Sequence, residues 1–407
     1  MMVSPLSPPM RSGPRPLHFH LLAQATSLLS SHVALPHWKN GSVSWKPPFS
    51  LLEAELRSQV RAQDPNAFHR ALSEVGAQRV DEFLKGVKAY RDHPYRRDLD
   101  EVPVVWRQGS TRLLDYRGKG RPLLVVPSLI NRSYILDLSA RRSLLRWLAG
   151  KGFRPFLVDW DAPQAEELAF GLDDYIAGRL SAVLDHILAA AGKPVLLGYC
   201  MGGLLGLGLA ALRGGDLRGL ALLATPWDFH RPDLRASRQL LSLEPNLRDA
   251  LSAHGQMPGD LLQVMFALQD PAAIERKFRQ FLTMKQNSAA ARNFVALEDW
   301  ANDCVPLAAR VAEQTLFGWY GDNLPGRGAW AVAGQVVDPR AIRLPSLLLV
   351  PSRDRIVPVG QALPLGRQLP KGETVMVEGG HVGMLIGARA VTEVYAPIGQ
   401  FARNIAL

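Results

Sequence analysis

Leu196-Leu197-Gly198-Tyr199-Cys200-Met201-Gly202-Gly203-Leu204-Leu205 reads as an apolar strand, a sharp turn with Cys200 at its tip, and a helix. This is a nucleophile elbow, G-x-S-x-G, with cysteine in place of serine. The turn strains its backbone, so its neighbours must be small. Gly198 and Gly202 fill those places, and Gly203 lets the helix pack close to the strand. A thiol there points to acyl transfer or thioester chemistry, because a thiolate is a strong nucleophile and a good leaving group. Cysteine also serves as a small buried hydrophobe, and glycine-rich strand-to-helix turns occur for packing alone. The motif by itself leaves both readings open.

The remaining groups such chemistry needs lie further along. Leu344–Pro351 is a short apolar run bounded by prolines, a buried strand, and Asp354 sits in the loop just beyond it. Glu373–Glu378 reads as the next strand, and His381 follows in the loop Gly379-Gly380-His381-Val382-Gly383. The order nucleophile, acid, histidine is that of the α/β hydrolases. His381 would take the thiol proton, and Asp354 would hold the imidazole in one tautomer. Alone, Asp354 could be a turn-former and His381 an ordinary loop histidine; Asp228, just after an earlier strand, is the next candidate for the acid. An oxyanion hole is expected from the backbone N–H of Met201 and from the loop Ser128-Leu129-Ile130-Asn131-Arg132, with Ile130 the first choice and Leu129 the neighbouring one.

These residues need an α/β scaffold, and the pattern supplies one. Strands are expected at 121–127, 153–159, 194–199, 219–224, 345–351 and 373–378. Helices are expected near 133–149, 173–191, 202–213 and 391–405, with a hairpin, Val102–Trp106 and Thr111–Tyr116, around Gly109. The alternation predicts an α/β-hydrolase fold: a mostly parallel central sheet flanked by helices. It breaks between Thr225 and about Arg343, so a helical cap insertion is expected over about 229–340, its aromatics forming the cap core. Residues 1–47 are basic and rich in proline and serine, with no acidic residue before Glu53, and are expected to be a flexible arm. Residues 48–100 are expected to be a helical N-terminal region, and 101–407 the catalytic domain.

With 407 residues, 47% hydrophobic and 21% charged, the chain has the composition of a soluble globular protein. Two cysteines, Cys200 and Cys304, exclude a disulfide scaffold and a cysteine-rich zinc site. A reducing cytoplasm would keep Cys200 active. The net charge of +10 suits a phosphate-rich ligand such as coenzyme A, and no nucleic-acid signature accompanies it.

Several motifs resemble one family, the polyhydroxyalkanoate synthases. Gly198-Tyr199-Cys200-Met201-Gly202-Gly203 is similar to its modified lipase box, G-x-C-x-G-G. Leu123–Leu138, in which a proline and an asparagine precede Tyr134-Ile135-Leu136-Asp137-Leu138, resembles its characteristic loop. Val158-Asp159-Trp160, Leu223–Phe229, Trp300 with Asp303, Asn323-Leu324 and Gly380–Gly383 also match, from about Val102 to the C-terminus. The resemblance implies an acyltransferase that moves a 3-hydroxyacyl group from coenzyme A to Cys200 and then to a growing polyester, with His381 as base and Asp354 as its partner. No metal is implied, and no cofactor beyond the coenzyme A thioester as substrate. The length is closer to the two-subunit class, whose catalytic chain works with a helical partner subunit; a homodimer and the polyester granule surface are further candidate partners, in the cytoplasm or at granules. A thioesterase or esterase with the same triad is the alternative, and a silent granule-associated protein is a third reading that the intact triad opposes.

Overall fold

The computed structural model describes residues 11–42, 49–232 and 234–405. They fall into two compact units, Met1–Arg96 with Gln263–Asn302, and Arg97–Leu262 with Asp303–Leu407.

The second unit is built on an eight-stranded sheet. Its strands are β1 (Val104–Gln108), β2 (Thr111–Asp115), β3 (Pro122–Val126), β4 (Arg154–Asp159), β5 (Val195–Tyr199), β6 (Gly219–Leu223), β7 (Ser346–Pro351) and β8 (Gly372–Val377). Their order is β1-β2-β4-β3-β5-β6-β7-β8. β2 pairs antiparallel with β1 and β4, and every neighbour from β4 to β8 is parallel. The continuous apolar runs of β3, β5, β6 and β7 are buried throughout, as strands covered on both faces must be. β8 closes one edge and is largely exposed. The six strands expected from apolar runs stand within about one residue of the expected bounds, and the fold class is as the sequence predicts.

Two local expectations fail. Residues 133–149 are not one helix. A 3-10 turn, Ser133–Leu136, leads into two short paired strands, Asp137–Ser139 and Arg142–Ser143, and the helix begins only at Leu144. The cause is Asp137, 1% exposed. Its carboxylate accepts from Arg146 Nε at 2.9 Å, Arg97 at 3.2 Å and the Tyr116 hydroxyl at 3.1 Å, which draws the chain out of helical geometry. Ser143 then caps the helix, its hydroxyl accepting the Arg146 N–H at 3.0 Å. The Val359–Gln368 helix between β7 and β8 was not expected, because Pro364 interrupts its pattern.

The first unit corrects the expected domain bounds. In place of a flexible arm, Leu17–Asn40 is a helix; residues 1–10 and 43–47 of that arm lie outside the described residues. The chain is tied down where the helix begins. Arg11 bonds Asp299 at 2.6 Å, the Arg15 N–H donates to Asn302 at 2.7 Å, and Leu17 and Leu21 pack on an apolar cluster. That cluster joins Phe83, Val87 and Tyr90 of the Pro65–Asp92 helix to Phe278, Phe281, Ala291 and Val295. The expected cap is therefore divided: residues 263–302 share a core with the N-terminal helices, so 48–100 is not a unit by itself, and Phe278, Phe281 and Phe294 are not cap core. Among the described residues no helix is long and apolar enough to cross a membrane.

Removing the Asp137 carboxylate takes an acceptor from two partly exposed arginines and a half-buried phenol. Asp137→Ala is expected to cost about 1.5–3 kcal/mol in urea unfolding, the usual worth of hydrogen bonds to a charged group. A change below about 0.5 kcal/mol, the size of an ordinary surface substitution, would show that the arginines hold this turn without it.

Candidate active site

β5 ends at Tyr199 and the next helix starts at Met201, so Cys200 alone makes the turn, with φ 57° and ψ −127°. Two backbone bonds fix it: the Cys200 N–H donates to Leu223 O at 2.8 Å, and the Gly203 N–H donates to Cys200 O at 2.9 Å. The helix leaves the turn in close contact with the ends of β3 and β6. A Cβ on Gly202 would lie 2.1 Å from the Val126 carbonyl oxygen, and one on Gly203 would lie 1.9 Å from Thr225 Oγ1. Cys200 is half-buried at the tip.

The structure brings Asp354 and His381 together beside it. The loops after β7 and β8 run side by side because the Ser352 N–H donates to Val377 O and the Arg353 N–H to Gly379 O, both at 2.8 Å. Asp354 Oδ1 accepts from the N–H groups of Ile356 and Val357 at 2.8 and 2.9 Å, leaving Oδ2 to bond His381 Nδ1 at 2.7 Å. The other side of the imidazole hydrogen-bonds Cys200. Burial by itself would drive the His381 pKa down. The charge of Cys200, the Asp354 bond, the Cys200 bond and the Asp354 charge together overcome it and push the pKa up to about 10. A cationic imidazole beside the sulfur is the setting in which cysteine acts as a nucleophile.

Asp228, the alternative acid, is engaged elsewhere. It accepts from Asn323 Nδ2 at 2.8 Å and pairs with Arg231 at 3.3 Å, while Asn323 Oδ1 accepts the Phe229 N–H at 2.9 Å. Its role is to tie the turn after β6 to residue 323.

Of the two expected oxyanion donors, Met201 is the first residue of its helix, so its N–H has no acceptor within that helix. The Ile130 N–H differs from expectation, since it donates to Ser128 Oγ at 3.1 Å within its own loop. Leu129, the neighbouring choice, is buried. The loop is braced by residues of several of the motifs. Asn131 forms an isolated antiparallel bridge with Cys304; Arg132 pairs with Asp161 and, at 3.3 Å, with Asp303; Trp160 Nε1 donates to Pro127 O at 3.1 Å. Two tyrosines went unread. Tyr199 lies against His381, and Tyr320 is close enough to Cys200 and Asp354 for their charges to add to the burial that raises its pKa. Tyr199 was visible within the motif, but nothing local marked its contact. Among the described residues no group of three or more His, Cys, Asp or Glu side chains could hold a metal ion.

With this geometry in view, the chain can be set beside known proteins. Residues 123–395 match the alpha/beta hydrolase family. The chain is 31% identical to the poly(3-hydroxyalkanoate) polymerase subunit PhaC of Allochromatium vinosum, over 69% of this chain and 80% of that one. It is 29% identical to the protein of the same name from Haloferax mediterranei, over 73% of this chain and 63% of that one, so the chain spans somewhat under two thirds of that relative. The PhaC subunit of a Synechocystis species is 29% identical over 66% of this chain and 74% of its own length.

The raised His381 pKa makes a titration prediction. The imidazolium persists above the ordinary value of 6.5 and is lost as pH rises through about 10, so the stability it contributes is complete below pH 6.5 and fades between there and about 10. Following the His381 ring protons by NMR should place the midpoint near 10 in the wild type. In Cys200→Ala and Asp354→Asn the midpoint should fall, because burial remains while an attraction is removed. A wild-type midpoint at or below 6.5 would contradict the charge arrangement.

Proposed function

Because the chain belongs to the alpha/beta hydrolase family and, within it, to the poly(3-hydroxyalkanoate) polymerase subunits, we propose that it polymerises 3-hydroxyacyl groups from coenzyme A thioesters through an acyl-Cys200 intermediate. The observation that carries this reading is a cysteine at the elbow, with His381 bonded to it on one side and to Asp354 at 2.7 Å on the other.

The chemistry starts from the thiolate–imidazolium pair. The Cys200 sulfur attacks the thioester carbonyl, the carbon–sulfur bond to coenzyme A breaks, and His381 gives its proton to the departing thiolate. The neutral imidazole then takes the proton from the 3-hydroxyl of the accepting chain or monomer. That oxygen attacks the acyl-cysteine carbonyl, the new ester forms, and Cys200 leaves as thiolate beside a restored imidazolium. Asp354, its second oxygen committed to backbone, keeps Nδ1 protonated and Nε2 facing the sulfur. The oxyanion is assigned to the Met201 N–H and the Leu129–Ile130 stretch, where Ile130 would exchange its Ser128 partner for the developing charge. The relatives' description as subunits supports the expectation of a partner chain.

Single-turnover reactions with 3-hydroxybutyryl-CoA test the reading. Cys200→Ala should abolish coenzyme A release while the fold persists. Asp354→Asn should slow turnover by a factor on the order of 10⁴, the loss that follows when an acid-to-amide change leaves histidine in the wrong tautomer. With substrate in excess, so that turnover repeats, the wild-type product should be oligoester. Monomeric 3-hydroxybutyrate as the sole product would assign the chain to thioester hydrolysis, and undiminished release by Cys200→Ala would remove the cysteine from the mechanism.

A further inference from the structure

The elbow carries a second functional side chain beside the nucleophile. Tyr199, the last residue of β5, is 5% exposed. Its hydroxyl donates to the His381 backbone carbonyl at 3.2 Å. Its ring centroid lies 5.2 Å from that of the imidazole, with the planes tilted by 35°. Neither half of this contact is easily left unpaired, since a buried phenol needs an acceptor and a buried carbonyl a donor. Burial first, then the charges of Cys200 and Asp354, hold the Tyr199 pKa well above its usual value, so the group stays a donor while His381 titrates.

We propose that Tyr199 is the positioning residue for His381 in the reaction proposed above, on which this inference rests. Asp354 fixes the rotation of the imidazole, but it does not fix where the His381 backbone stands. That backbone belongs to a loop with glycine at 379, 380 and 383, which offers few side chains to anchor it, and Gly379 takes a φ of 115°. Beyond the Arg353 bond to Gly379, the Tyr199 hydroxyl supplies a tie to His381 itself. Because Tyr199 and Cys200 are consecutive, and the Cys200 N–H is held to Leu223, the bond sets the spacing between the nucleophile's own strand and the base. The ring does a second thing: it offers a π-face close to an imidazole that is cationic in the resting site.

Tyr199→Phe and Tyr199→Leu in the full chain separate the two contributions. Two readouts are needed: kcat and KM for coenzyme A release from 3-hydroxybutyryl-CoA, and the rate of Cys200 alkylation by iodoacetamide at neutral pH, resolved from Cys304 by peptide mass. Tyr199→Phe keeps the ring and loses the tie; kcat and alkylation should both fall about tenfold with KM within about twofold, in line with a displaced catalytic group. Tyr199→Leu should fall about a further tenfold, with phenylalanine the partial rescue. If the leucine variant fails to fold by circular dichroism, the phenylalanine variant decides alone. Wild-type kcat and alkylation in Tyr199→Phe would overturn the proposal, as would a raised KM at constant kcat, which would mark a substrate contact. Alkylation needs no substrate, so it reports on Tyr199 even if Cys200→Ala shows the polymerase reading to be wrong.

Discussion

The site depends on the absence of two side chains. The helix after Cys200 can leave the sheet only if nothing larger than hydrogen stands at 202 and 203, where the Val126 carbonyl and the Thr225 side chain already occupy the space. That approach forces the chain to reverse within one residue, and Cys200 takes the strained conformation. Such backbone costs on the order of 1–3 kcal/mol. The same helix buries Leu204, Leu205, Leu207 and Leu209 completely, at about 1.5–3 kcal/mol each, so packing outweighs the strain several times over. The thiol is held at the tip by hydrophobic contacts that lie beneath it.

Charge at the site follows company rather than burial. Desolvation is the largest single influence on His381, and it acts against the cation. Four smaller attractions from two residues reverse it. This works because Asp354 has no slack: one oxygen is saturated by two backbone N–H groups and the other faces Nδ1. A carboxylate free to rotate would share its charge with solvent and orient nothing.

Most of the sheet was legible because buried parallel strands are short apolar runs, and here glycine and proline bound them. Cys200, Asp354 and His381 could be singled out because each follows such a run. What failed was non-local. A helix is expected from residue 133, and the partners that draw Asp137 out of it include Arg97 and Tyr116 from upstream. The arm's prolines and serines suggested disorder, whereas Asn302 and Asp299 order its start. The pairing of Phe83 and Tyr90 with Phe278 leaves no local trace, which is why the insertion looked like a single cap. The Ile130 bond was within reach, since a serine two residues upstream commonly takes such an N–H.

The position of β8 orders events in time. The turn at Cys200 draws its contacts from β3, β5 and β6, but the chain then leaves this unit at Gln263, returns at Asp303, and only later makes the strands that precede Asp354 and His381. β8 is the last strand synthesised and lies at the edge of the sheet, so it can add to a finished platform. A nascent chain that has not reached it has the cysteine without the imidazole. His381 follows β8 directly, so the imidazole comes to Cys200 only as the sheet closes.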